Sequence, residues 1–210
     1  MQFDKIQQCG IVPVVALKDT SKAVDLAKAL KAGGIDVIEV TYRTPNASEV
    51  IELLRRDMPD LTVGAGTVIN DEQLEQALDA GAEFVVSPGT DESVIKRCVD
   101  AGVAILPGVV TPTEIMVGMR YGLSVFKFFP AGIYGGLKTI KALRGPFGEI
   151  RFVPTGGISA ANLVEYANEK SVLAVGGSWM VKSDLIDQGQ FDRITELAKE
   201  ATGIWKQVRD

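Results

Sequence analysis

Two charged residues stand inside apolar runs that read as strands. Lys127 lies in Phe126-Lys127-Phe128-Phe129, and Glu39 lies between Ile38 and Val40. Side chains alternate along a strand, so the apolar flanks take one face and the charge takes the other. If the apolar face packs under helices, both charges point into the interior of a curved sheet. A desolvated lysine is a common source of a nucleophilic amine, and such an amine attacks ketones to form an imine. The protonated imine accepts the electron pair released when a neighbouring C–C bond breaks. A carboxylate must then take the proton of the departing hydroxyl and later reprotonate the enamine. Glu39 is the candidate for both transfers. The residues alone leave a second reading open, a buried structural Lys127–Glu39 ion pair, because inward charges are costly unless paired or used.

Three further features suggest what such a site would hold. Arg43 shares the parity of Glu39 and reads as a fork for a carboxylate, although a plain surface arginine fits the spacing too. The turns in PTGGI (154–158) and VGGS (175–178) carry Gly156, Gly157, Gly177 and the hydroxyl of Ser178. Glycines let backbone N–H groups approach phosphate oxygens, and a following helix N-terminus would add favourable partial charge. Ordinary tight turns are the competing reading here, as they are for GAGT (64–67) and SPG (87–89). An arginine for a carboxylate, a lysine for a ketone and a glycine nest for a phosphate together describe a phosphorylated 2-keto acid.

Composition narrows the chemistry. The chain has no histidine, which removes imidazole bases, nucleophile pairs built on them and imidazole metal ligands. Metal chemistry built on imidazole ligands is therefore not expected, and no cofactor is expected. The net charge of −5 offers no general attraction to nucleic acid or to an anionic membrane, so neither is an expected partner. Cys9 and Cys98 have no metal-type spacing and read as buried thiols. The opening MQFDKIQQCG is polar and amphipathic, unlike a secretory signal, and no apolar run is long enough to span a bilayer. The expected compartment is the cytoplasm.

The elements that must position these residues alternate regularly. Strands are expected at 10–17, 36–42, 61–65, 83–87, 103–107, 124–129, 151–154 and 172–175. Helices are expected from a cap at Thr20 or Ser21 to Gly33-Gly34, from Pro45 to about Arg56, and over about 71–80, 91–101, 112–121, 136–143, 160–167 and 191–205. The glycines in AGG, DAGA and DAGV fall where helices should end. Eight βα units at about 20–25 residues each predict an α/β fold, a single (β/α)₈ TIM barrel over 1–210 opened by a short N-terminal helix. A doubly wound open sheet is the fallback. In a barrel, active sites form at the C-terminal ends of the strands, and Glu39, Arg43, Lys127 and the glycine turns named above all lie after a strand or near its C-terminal end.

Taken in order, EVTYRT (39–44), VGAGTV (63–68), SPG (87–89), FKFFPA (126–131), PTGGI (154–158) and GGSW (176–179) resemble the 2-keto-3-deoxy-6-phosphogluconate (KDPG) and 2-keto-4-hydroxyglutarate (KHG) aldolases over essentially the whole chain. The resemblance implies a metal-independent class I lyase with Lys127 as Schiff-base lysine and Glu39 as general acid–base. It implies that Arg43 binds the substrate carboxylate, and that Thr67, Pro88 and Phe129 line the pyruvate pocket. Thr155 would meet the hydroxyl region of the substrate, and Gly156, Gly157, Gly177 and Ser178 would hold its phosphate. It implies reversible cleavage of KDPG to pyruvate and glyceraldehyde 3-phosphate in the Entner–Doudoroff route, some cleavage of KHG to pyruvate and glyoxylate, and a homotrimer. Tyr42 stands where leucine is usual, and the 131–136 loop AGIYGG replaces a more polar one. Two other readings of the residues are an isomerase or epimerase using Glu39 without an imine, and a non-catalytic phosphosugar-binding barrel.

Overall fold

A computed structural model describes residues 3–209. The chain opens with α1 (Asp4–Cys9), then alternates β1 (Ile11–Val15), α2 (Ala23–Ala32), β2 (Val37–Thr41), α3 (Ala47–Asp57), β3 (Thr62–Gly66), α4 (Asp71–Asp79), β4 (Phe84–Val86) and α5 (Glu92–Asp100). It continues through β5 (Ala104–Leu106), β6 (Gly108–Val109), α6 (Pro112–Arg120), β7 (Val125–Phe128), α7 (Gly136–Phe147), β8 (Arg151–Pro154), α8 (Leu163–Asn168), β9 (Val175–Gly177), α9 (Ser183–Asp187) and α10 (Phe191–Arg209). Every ladder between them is parallel.

The strands form a six-stranded sheet in the order β5-β4-β3-β2-β1-β9 and a three-stranded sheet β6-β7-β8, curled into a half-barrel with the helices outside. The expected fifth strand, 103–107, stops at Leu106, and a second piece, β6, starts just past Pro107, which has no N–H to give a ladder. Its carbonyl still accepts from Lys127 N at 3.0 Å, so the two pieces stay in line. Isolated parallel bridges join Phe152 of β8 to Val172 ahead of β9, and Thr155 just past β8 to Gly176 within β9.

Local chemistry sets the boundaries. The left-handed glycines expected after helices are Gly34, Gly81 and Gly102, each with positive φ. Asp91 and Asn70 cap α5 and α4 through their side chains, and Thr111 with Glu114 makes a full capping box on α6. The first helical segment differs from expectation. Its cap is Asp19, whose carboxylate accepts from the N–H and hydroxyl of Ser21, and a 3-10 turn over Thr20–Lys22 precedes α2. The last strand begins at Val175 rather than 172, because the pairing with β1 sets it: Val175 N donates to Gly10 O, and Pro13 lies opposite Gly177. The helix expected at 160–167 is shortened to α8, since Asn162 turns its side chain back onto Ser159 N and Gly157 O. The short α9 was not expected at all.

Parity places the interior as anticipated. Ile38, Val40, Phe126 and Phe128 are all buried in one continuous apolar core, and Glu39 and Lys127 face each other from β2 and β7.

Candidate active site

Register decides which side chains meet. Glu39 lies beside Val14 of β1 and Gly64 of β3, while Lys127 lies between Gly108 of β6 and Val153 of β8. The sheet curves until Lys127 Nζ is 3.5 Å from Glu39 Oε1, with only 5% of the lysine and 2% of the glutamate exposed. The ring of Phe129 closes one side of the ammonium at 5.1 Å from its centroid. Gly66 makes room for the carboxylate: a Cβ there would lie 2.2 Å from Glu39 Oε1.

A cavity of about 250 Å³ opens above Lys127 at the C-terminal ends of the strands. Arg43, Thr67, Pro88, Lys127, Phe129, Thr155, Gly156, Gly157, Gly177 and Ser178 all line it, so the sequence-selected residues converge with one exception. Glu39 does not line the cavity; its contact with the site is through Lys127, whose Nζ lies 3.5 Å from Glu39 Oε1. Val14 and Ile158 line it too and were not anticipated. Both are ordinary apolar strand or turn residues, and nothing in their type distinguishes them from core.

The mouth is built on backbone geometry. Gly156 and Gly157 hold φ of 92° and 79°, a region that favours glycine. The 131–136 loop is tied to this turn, with Ala131 N donating to Thr155 O at 2.8 Å and Gly132 N to Gly156 O at 2.9 Å. Among the described residues the N–H groups of Gly157 and Ser178 have no internal acceptor, and neither has the Ser178 hydroxyl. The expected contribution of a following helix is small, because α8 begins only at Leu163 and α9 only at Ser183. Thr67 has a φ of 58°, rare for a β-branched residue and a strain of the kind that clusters at functional sites. Arg43 lies past the end of β2, open to solvent at the rim, and among the described residues has no acidic partner.

The two cysteines lie elsewhere. Cys9 ends α1 and Cys98 is in α5; both are free and buried. Burial pushes the Cys9 thiol up to about 11 and the Cys98 thiol up to about 12.

The family model for KDPG and KHG aldolases matches residues 3–197. The chain belongs to this family. Among its relatives, the KHG/KDPG aldolase of Escherichia coli K12 is 49% identical over 91% of this chain and 90% of its own length. Two solved KDPG aldolases share the fold of this family member. That of Legionella pneumophila, with pyruvate captured at low pH as a covalent carbinolamine intermediate, superposes with a TM-score of 0.92 at 39% identity, covering 96% of this chain and 98% of the other. That of Zymomonas mobilis ZM4, solved with 3-phosphoglycerate, gives 0.90 at 42% identity, covering 97% of each.

Proposed function

We infer that this aldolase cleaves KDPG reversibly to pyruvate and glyceraldehyde 3-phosphate, and cleaves KHG to pyruvate and glyoxylate, through an imine on Lys127. The observation that carries the residue assignment is the buried Lys127–Glu39 pair beneath a cavity rimmed by Arg43 and the glycine turns. A pair with only a structural role needs no cavity above it. Family membership weighs against an imine-free isomerase and a non-catalytic binder.

The steps follow from the geometry. The Lys127 amine adds to the C2 ketone, and the carbinolamine takes up a proton from solvent as it loses water, leaving a protonated imine. The Glu39 carboxylate takes the C4 hydroxyl proton, the C3–C4 bond breaks, the aldehyde departs, and the electron pair passes into the imine as an enamine. Glu39, now protonated, returns the proton to C3, and water hydrolyses the pyruvyl imine to free the lysine. Glu39 Oε1, 3.5 Å from Lys127 Nζ, is within reach of substrate carbons held on that nitrogen. Arg43 forks the carboxylate, Thr67, Pro88 and Phe129 enclose the pyruvyl unit, and Thr155 meets the hydroxyl region. Gly156, Gly157, Gly177 and Ser178 seat the phosphate, with the free N–H groups of Gly157 and Ser178 and the Ser178 hydroxyl as donors.

We propose also that the sheets close into a single eight-stranded barrel domain spanning the chain. The in-line pieces β5 and β6 and the two bridges from β8 toward β9 support this closure. Exposed Met116 and Met119, adjacent on α6, offer apolar surface for the homotrimer that the family resemblance suggests, which light scattering tests. Among the described residues no helix is long and apolar enough to cross a membrane, and the free cysteines fit a reducing cytoplasm.

Reduction with borohydride in the presence of pyruvate tests the nucleophile. A stable pyruvyl adduct mapping to Lys127 is expected; no adduct, or one on another lysine, would overturn the assignment.

A further inference from the structure

The rim arginine is exposed, yet it is not loose. Arg43 Nε donates to Thr41 Oγ1 at 3.1 Å. Thr41 is fully buried at the end of β2, and its hydroxyl donates to Val15 O on β1 at 2.7 Å. A hydroxyl has a single hydrogen. With that hydrogen committed to Val15, Oγ1 meets Arg43 only as an acceptor, which is what a guanidinium requires. The pairing of β1 with β2, which sets Val15 opposite Val40, fixes this relay in the sheet. Holding Nε leaves the two Nη groups free, and these form the fork that grips a carboxylate.

We propose that Thr41 is a positioning residue for substrate recognition: it presets the Arg43 guanidinium for the carboxylate of the 2-keto acid. The proposal rests on the reading of Arg43 as the carboxylate fork. Thr41 touches no substrate and acts only through Arg43.

The test uses Thr41→Val, which keeps the shape and removes the hydroxyl, and Thr41→Ser, which keeps the hydroxyl. The readout is the pyruvate concentration that half-saturates borohydride trapping on the full chain, with acetone as a ketone lacking a carboxylate. Thr41→Val should raise the pyruvate value about tenfold, as expected for a lost hydrogen bond to a charged group. It should leave maximal trapping and the acetone value unchanged, and Thr41→Ser should restore the pyruvate value. On an Arg43→Leu background, Thr41→Val should add nothing. If Arg43→Leu alone leaves pyruvate saturation unchanged, the fork reading falls. If Arg43→Leu weakens pyruvate while Thr41→Val does not, or if Thr41→Val weakens acetone equally, the positioning role falls and the fork stands. Should Thr41→Val not fold, Thr41→Ala puts the same question with a smaller side chain.

Discussion

Replacing Gly66 by alanine should cripple turnover without removing any group that does chemistry. The new Cβ would lie 2.2 Å from Glu39 Oε1 and 2.5 Å from Glu39 Cγ, where ordinary contact begins at 3.4 Å. Gly66 is held in β3 by its pairing with Thr41, and its carbonyl accepts from Tyr42 N at 2.8 Å, so the glutamate side chain must give way instead. The carboxylate then retreats by about 1 Å, a misplacement of the size that costs on the order of 10²-fold in rate. That loss corresponds to about 2.7 kcal/mol of transition-state stabilisation. The assay is steady-state cleavage of KDPG with pyruvate release coupled to lactate dehydrogenase, beside borohydride trapping. The expected result is a kcat lowered about 10²-fold with the Lys127 adduct still forming, since the amine itself is not displaced. A folded Gly66→Ala protein with near-normal kcat would refute the claim that the exact seat of Glu39 matters.

Three other outcomes follow from the same geometry. Glu39→Gln should still trap pyruvate on Lys127 but turn over about 10²–10⁴-fold more slowly, the range typical of lost general acid–base catalysis; retention of normal kcat would remove Glu39 from proton transfer. Ser178→Ala should raise KM for KDPG about tenfold, the loss of a hydrogen bond to a charged group, while leaving KHG, which has no phosphate, unaffected. Equal effects on both substrates would argue against Ser178 as a phosphate donor. For Cys9 and Cys98, burial raises the thiol values to about 11 and about 12, so at pH 8 both remain protonated and unreactive. A chromogenic disulfide reagent should therefore titrate neither thiol in the native protein and both after unfolding in guanidinium; rapid native reaction would mean that α1 or α5 opens locally.

Much of the site was legible because its residue types are costly where they stand. A lysine between phenylalanines and a glutamate between β-branched residues have few structural excuses, and strand parity gave their direction. The glycine turns were legible because positive φ excludes most other residues, as at Gly156 and Gly157. What went unread has equally specific causes. Thr67 gives no sign in its type of a left-handed backbone, and Thr41 looks like any strand threonine until β1 is laid beside it. The shift of the last strand from 172 to Val175 was set by Gly10 and Pro13, more than 160 residues away. The split at Pro107 follows from a single missing N–H, yet a short apolar run does not reveal whether its ladder needs that donor.

The sequence by itself determined the alternation of strand and helix, the inward faces of β2 and β7, and the residues that line the cavity apart from Val14 and Ile158. Those depend on periodicity and on local cost, which a linear chain carries. Only the tertiary structure decided that Lys127 and Glu39, 88 positions apart, come within 3.5 Å. It also decided that Glu39 is not on the cavity wall, and that Thr41 accepts from Arg43 at the rim. Those facts depend on register and sheet curvature, which arise from all the strand pairings together and are written in no single segment.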